Sequence, residues 1–293
     1  MSGSLLFSQF MGGFTTAMFL FLIASGLSLV FGVMRVINFA HGSFYMLGAY
    51  LAWQGVAWLQ PLVGSFWVAT LFAACGVAVL GAFVERLFFR SLYGREELYQ
   101  LLFTYALVLI LGDAAKYLWG VNQLTVSTPP ELSGSIEIFG TTQPVYNLLV
   151  MAIGPAIAFL GWLVLNRTGV GRMVRAAQMD REMLGALGAN VGTIYTAMFV
   201  ISAFLAGLSG ALVTPIQSIV PGMDVLIIVQ AFIVVVIGGM GSFWGTFWGS
   251  VIYGQVLSFG ILIFPGFSLF SVFALMAVIL IVRPWGLFGR PLL

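Results

Sequence analysis

Most of the chain is a succession of apolar runs about 20 residues long, the length that some 30 Å of hydrocarbon requires. Stretches such as FTTAMFLFLIASGLSLVFGV are apolar on every face, without the alternation of apolar and polar residues that marks a transmembrane barrel strand. The pattern predicts membrane-crossing helices at 11–33, 39–58, 62–84, 98–119, 145–165, 193–213, 223–240, 246–264 and 268–283. The expected architecture is therefore an all-α, polytopic transmembrane bundle of about nine spans. Eight or ten remain open, because glycines interrupt 39–58 and 223–264 and such segments can be broken or re-entrant. Residues 1–293 read as a single transmembrane domain, with no linker and no charged tail.

Composition supports the membrane assignment. With 61% hydrophobic and 7% charged residues and a mean hydropathy of +1.10, there are too few polar side chains to coat a soluble domain of this size. The arginines cluster: Arg86, Arg90 and Arg95 in one connection, Arg167, Arg172, Arg175 and Arg181 in another, Arg283 and Arg290 around the last span. Residues 120–146 carry Glu131 and Glu137 but no Lys or Arg. By the positive-inside rule the arginine clusters face the cytoplasm and residues 120–146 face outward. That places the N-terminus outside and the C-terminus inside. The first ten residues lack a basic region, so a cleaved signal peptide is not expected. Cys75, the single cysteine, reads as a small buried residue.

Self-contained catalysis is hard to build from this inventory. One histidine excludes an H-E-x-x-H metal site, and Ala115 before the single lysine, Lys116, excludes a phosphate-binding loop. No catalytic residue, metal, cofactor or nucleic-acid partner is expected. No charged side chain is placed at mid-depth either, which argues against a secondary transporter.

Three stretches hold the candidate chemistry. In NRTGVGRMVRAAQMDREMLGALGAN (166–190), Gly169 and Gly171 break the preceding span, residues 172–187 favour a helix, and Gly188 with Asn190 stops it. Arg172, Arg175, Gln178 and Glu182 would share one face; Met173, Ala177, Leu184 and Leu187 the other. Such a helix either lies on lipid headgroups, its arginines toward anionic lipid, or docks a cytoplasmic partner. In MRVINFAHG (34–42), Arg35, Asn38 and His41 fall within an arc of about 120° if the backbone is helical. Gly42 and Ser43 then supply a break. The polar trio either caps a turn or lets Asn38 or His41 line a solute pathway. Gly238, Gly239, Gly241, Gly245 and Gly249 favour close helix packing, with a solute-facing break at 238–241 as the alternative. Elsewhere, Asp113 and Lys116 suit a local ion pair, and Asp224 suits the outer start of the seventh span.

These stretches carry a family resemblance. GLSLVFGVMRVINFAHGSFYMLGAY, the order Arg-Thr-x-x-Gly-Arg-x-x-Arg-Ala followed by Gly-Ala-Asn and AFLAGLSGAL, and VVIGGMGSFWGTFWGSVIYG together resemble the LivH-type permease subunits of bacterial branched-chain amino acid ABC importers. Trp244, Phe247 and Trp248 are bulkier than the family pattern suggests. The resemblance implies a type II importer permease in the inner membrane. It would pair with a second, homologous permease, two cytoplasmic ATPase subunits and an external solute-binding protein, and would not itself be an enzyme. It implies branched-chain or other amino acids as solute, with urea or short amides as the alternative. Residues 166–192 would be the loop coupled to the ATPase through Arg172, Arg175, Asp180, Glu182 and Gly188. Asn38, His41, Gly42, Ser43, Gly238, Gly239 and Gly241 would be the pathway or gate candidates.

Overall fold

The computed structural model describes residues 2–59, 64–263 and 265–289. Its helices are α1 (Gly3–Met34), α2 (Ala40–Leu59), α3 (Ser65–Leu92), α4 (Glu97–Trp119), α5 (Val145–Arg167), α6 (Gly169–Met179), α7 (Arg181–Ala186), α8 (Val191–Val213), α9 (Met223–Gly238), α10 (Phe243–Ile263) and α11 (Ser268–Val282). Each expected span appears as a helix. Arg290 and the expected span edges at residues 62 and 264 lie outside the described residues.

Among the described residues, seven of the nine expected spans are helices long and apolar enough to cross a membrane, the last counted from Pro265 to Val282. The exceptions are α2, which carries His41, Ser43 and Gln54, and α9, which has only 16 residues. The bundle is built around α1, whose apolar character on all faces is explained by burial: Ala17 to Ala24 are enclosed by α5, α8, α9 and α10. On the perimeter α4, α5 and α11 expose large apolar side chains such as Ile110, Leu160 and Ile281, the surface expected of helices facing lipid or another membrane protein. Backbones approach without intervening side chains where α2 crosses α8, since a Cβ on Gly48 would overlap the Gly207 backbone and one on Gly210 the Tyr45 carbonyl.

Several local expectations change. Helix α3 runs to Leu92 instead of ending near 84, through a π-helical turn at Glu85–Phe89 in which Glu85 and Phe89 turn inward while Leu87 and Phe88 face outward. Cys75 is exposed on α3, not buried. The bulky residues after the glycine turn fit well: Phe247 packs edge-on against Phe21 at 5.2 Å between ring centres, and Trp244 and Trp248 point outward. Between α4 and α5 lies an unanticipated hairpin, β1 (Ser135–Ile138) antiparallel to β2 (Thr141–Pro144), pairing Ile138 with Thr141. Its two-residue turn, Phe139 and Gly140, has positive φ at both positions (49° and 70°), the geometry that matches strand twist.

The expected pair is present: Lys116 Nζ is 3.0 Å from Asp113 Oδ1, with both side chains largely exposed. Exposed pairs contribute about 0–1 kcal/mol. Asp113→Asn should therefore lower the melting temperature of the purified chain by no more than about 2 °C. A fall of more than about 5 °C in a thermal-shift assay would mean that the pair is doing structural work its exposure does not suggest.

Candidate functional site

Helix α1 ends where Arg35 adopts a left-handed conformation (φ 55°), its N–H donating to the Phe31 carbonyl, and residues 35–38 are not helical. Arg35, Asn38 and His41 consequently do not share a face. Arg35 is exposed, whereas Asn38 and His41 are each 1% exposed. The His41 Nε2 lies 2.8 Å from the Ile23 carbonyl, so Nε2 carries the proton, and Nδ1 accepts from the Ser202 hydroxyl at 3.3 Å. Both ring nitrogens are thereby used to join α1, α2 and α8.

Those partners fix the height of the site. Ile23 stands three turns before the end of α1, about 16 Å along the axis. Ser202 is the middle residue of α8. The non-helical residues 35–38 thus climb back alongside α1, and α2 begins inside the bundle. No break occurs at Gly42 or Ser43; the helix is continuous from Ala40, and Gly42 is small because a Cβ there would crowd the Asp224 carbonyl.

Asp224 itself is the main surprise. It is the second residue of α9, 3% exposed, and its Oδ2 accepts from the Ser43 hydroxyl at 2.8 Å. From Asp224 the helix runs about 21 Å to Gly238, which packs on Gly245 at the start of α10, while Gly241 packs on Gly32 near the end of α1. Asp224 accordingly lies deep in the bundle, not at the outer start of a full span. The non-helical residues before it, among them Ile219 bridged to Leu124, occupy the remaining height. Two helix N-termini, those of α2 and α9, meet at this carboxylate, whose negative charge compensates both positive dipole ends. The hydroxyl of Tyr50 and the Oδ1 of Asn38 are also buried, without a hydrogen-bond partner among the described residues.

The glycine candidates cluster at the arginine-rich end. Gly238 meets the backbone of Gly245, Gly239 (φ 103°) meets Gly289, and Gly241 (φ 79°) meets Gly32. All three make backbone-to-backbone contacts that leave no space for a side chain.

At the same end the expected single helix over 172–187 is two. Asp180, with φ −151° and ψ 102°, interrupts it, and its Oδ1 accepts from the Glu182 and Met183 amides, both at 2.9 Å, to cap α7. The Thr168 hydroxyl caps α6. Arg175 donates to the Leu165 carbonyl at the end of α5, so its charge fixes the loop against the bundle. Gly188 (φ 86°) terminates α7, and Arg172 and Glu182 are exposed. The buried stripe comprises Val174, Ala177 and Leu184; Met173 and Leu187, expected on it, are exposed instead, together with Met179 and Met183. A polar cleft of about 460 Å³ separates α6–α7 from the end of α1 and the α3–α4 connection, with Arg35, Arg95, Glu97 and Arg181 in its walls.

The family model described as branched-chain amino acid transport system, permease component, matches residues 9–282. The chain belongs to this permease family. The permease is 30% identical to the high-affinity branched-chain amino acid transport system permease protein BraD of Pseudomonas aeruginosa, over 97% of this chain and 95% of that one. It is 28% identical to LivH of Escherichia coli, with the same coverage of both chains. It is also 27% identical to LivM of Escherichia coli, over 93% of this chain and 68% of that one; both bear the same printed description as BraD.

One buried charge of the permease escaped the sequence pattern. The expected span ends at residue 84, before the Glu85–Arg86 pair, yet Glu85 is fully buried. The signal available was the apolar run Leu87–Phe89 that follows it.

Proposed function

We propose that this permease is the transmembrane subunit of an ATP-driven importer of branched-chain amino acids in a bacterial inner membrane, its N-terminus outside and its C-terminus cytoplasmic. The observation that carries the proposal is the α6–α7 surface. Two short capped helices present Met173, Met179, Met183 and Leu187 among arginines and Glu182, at the arginine-rich end of a chain that has no phosphate-binding loop of its own. Exposed apolar side chains ringed by charge suit a protein partner better than water. That partner is an ATPase subunit, one of two, seated on residues 166–192. Arg172, Glu182 and the turn at Gly188 meet it, while Arg175 and Asp180 hold the loop in shape.

The second permease is a different, homologous chain; in support, Escherichia coli has both LivH and LivM, and both are similar to this chain. An external binding protein delivers the solute. ATP-driven closure of the ATPase pair displaces α6–α7 and exchanges outward-open for inward-open arrangements. Asn38, His41, Gly42 and Ser43 would act where α2 and α9 meet, with Gly238, Gly239 and Gly241 as the tight pivot between α9 and α10.

The test is affinity isolation in mild detergent followed by reconstitution. Two ATPase subunits and a second permease should co-purify and drive leucine, isoleucine and valine uptake; recovery of this chain alone, still moving leucine without ATP, would overturn the proposal. Glu182→Arg should lower leucine moved per ATP by about 3- to 10-fold, the effect of losing one interfacial charge contact of about 1 kcal/mol. An unchanged ratio would remove Glu182 from the interface.

A further inference from the structure

Glu85 is 0% exposed, and two hydroxyls hold its carboxylate. Tyr93 Oη donates to Oε1 at 2.5 Å and Thr196 Oγ1 donates to Oε2 at 2.6 Å. No cation within salt-bridge distance neutralises it among the described residues. A carboxylate buried against hydroxyls alone costs more than an apolar side chain of similar volume, so its presence calls for a purpose other than packing. It sits in the π-helical turn of α3, an insertion that fold stability disfavours and that is found mostly at functional sites.

The three elements it joins are the relevant ones. Tyr93 belongs to the α3–α4 connection, one residue before Gly94 and Arg95 in the wall of the polar cleft. Thr196 is in the second turn of α8, the helix that the chain enters directly from α6–α7. Arg90, one turn beyond Glu85, reaches the start of α8, where its guanidinium lies 3.2 Å from the position of a Cβ on Gly192. The Tyr93 and Tyr195 rings stack edge-on at 5.1 Å, and the Tyr195 hydroxyl is buried without a partner among the described residues. Burial, then the Glu85 carboxylate, raise the Tyr93 phenol well above its ordinary range, so it remains a donor throughout physiological pH.

We propose that Glu85 is the positioning residue that carries displacement of the α6–α7 loop into α3 and α4. The role rests on the importer function proposed above. Movement of α6–α7 shifts the first turns of α8, and with them Thr196. The carboxylate follows because both of its oxygens are held, and it pulls on the π-turn and on Tyr93. Hydroxyl donors can rotate and re-form their bonds, whereas a guanidinium clamp would lock one arrangement.

The experiment uses the assembled transporter in proteoliposomes with its binding protein, and reads leucine transported per ATP hydrolysed alongside subunit stoichiometry. Glu85→Gln and Thr196→Val should each lower the ratio at least fivefold while the complex stays assembled and continues to hydrolyse ATP. Thr196→Ser, which restores the hydroxyl without the methyl, should return the ratio to wild type. Tyr93→Phe, at a half-buried loop position, should lower it as well and decides the matter if Glu85→Gln fails to assemble. Wild-type ratios in Glu85→Gln or in Tyr93→Phe would overturn the role, as would a Thr196→Ser variant no better than Thr196→Val. A wild-type complex that moves leucine without ATP would overturn the importer itself, and this role with it.

Discussion

Gly210→Leu is expected to eliminate the folded permease from membranes, and Gly210→Ala to lower its melting temperature by about 5–10 °C. A Cβ at this position falls on the Tyr45 carbonyl, with the Ala49 amide on its other side, so the obstruction is backbone on backbone and no rotamer change relieves it. Overpacking a core costs about 1–3 kcal/mol when side chains can yield. Here the whole of α8 must instead retreat from α2, and the crossing is shared with Gly48 and Gly207. Gly112→Ala is the control: its Cβ meets nothing, and alanine in a helix should gain up to about 1 kcal/mol. Fluorescence-detected size exclusion and thermal shift on detergent extracts measure both. A monodisperse Gly210→Leu protein melting within about 2 °C of wild type would show that α2 and α8 are not in backbone contact.

Asp224→Ala should abolish transport in a protein that still reaches the membrane. Removing the carboxylate leaves two buried helix N-termini uncompensated, each effect up to about 2 kcal/mol in a partly buried setting. It also orphans the Ser43 hydroxyl, at about 1–3 kcal/mol. Together these approach 5 kcal/mol, enough to shift a balance between two arrangements by nearly four orders of magnitude. Asp224→Asn keeps an acceptor for Ser43 and loses only the charge, so it should retain partial uptake, on the order of a tenth of wild type. Leucine uptake by intact cells, normalised to the amount of permease in the membrane, gives the answer. Wild-type uptake by Asp224→Ala would show that the meeting of α2 and α9 does not need its anion.

The helices were legible in the sequence because lipid and a fully buried core both demand long apolar runs. Their depth was not. A helix that starts inside the bundle, as α2 does, has the same apolar composition as one that starts at the surface, and the non-helical climb over residues 35–38 depends on the left-handed turn at Arg35, which spacing does not reveal. The same blindness placed Asp224 at a surface when it stands at mid-height. In the α6–α7 loop the end was visible from Gly188, but the start was not, since Gly169 and Gly171 lie inside α6 behind the Thr168 cap, and the interruption at Asp180 was missed although aspartate is a favoured N-cap residue. Glu85 was hidden by its arginine neighbours. The hairpin was lost because a phenylalanine occupies a left-handed turn position that usually signals itself with asparagine or aspartate.

Cys75 has a practical consequence. It is the chain's one thiol, and it points away from the bundle from the flank of α3. A maleimide fluorophore would therefore label each native chain at a single known position, with no engineering of the rest of the sequence. Its emission, quenched by brominated or spin-labelled lipid, would distinguish a face bathed in bilayer from one covered by a second subunit.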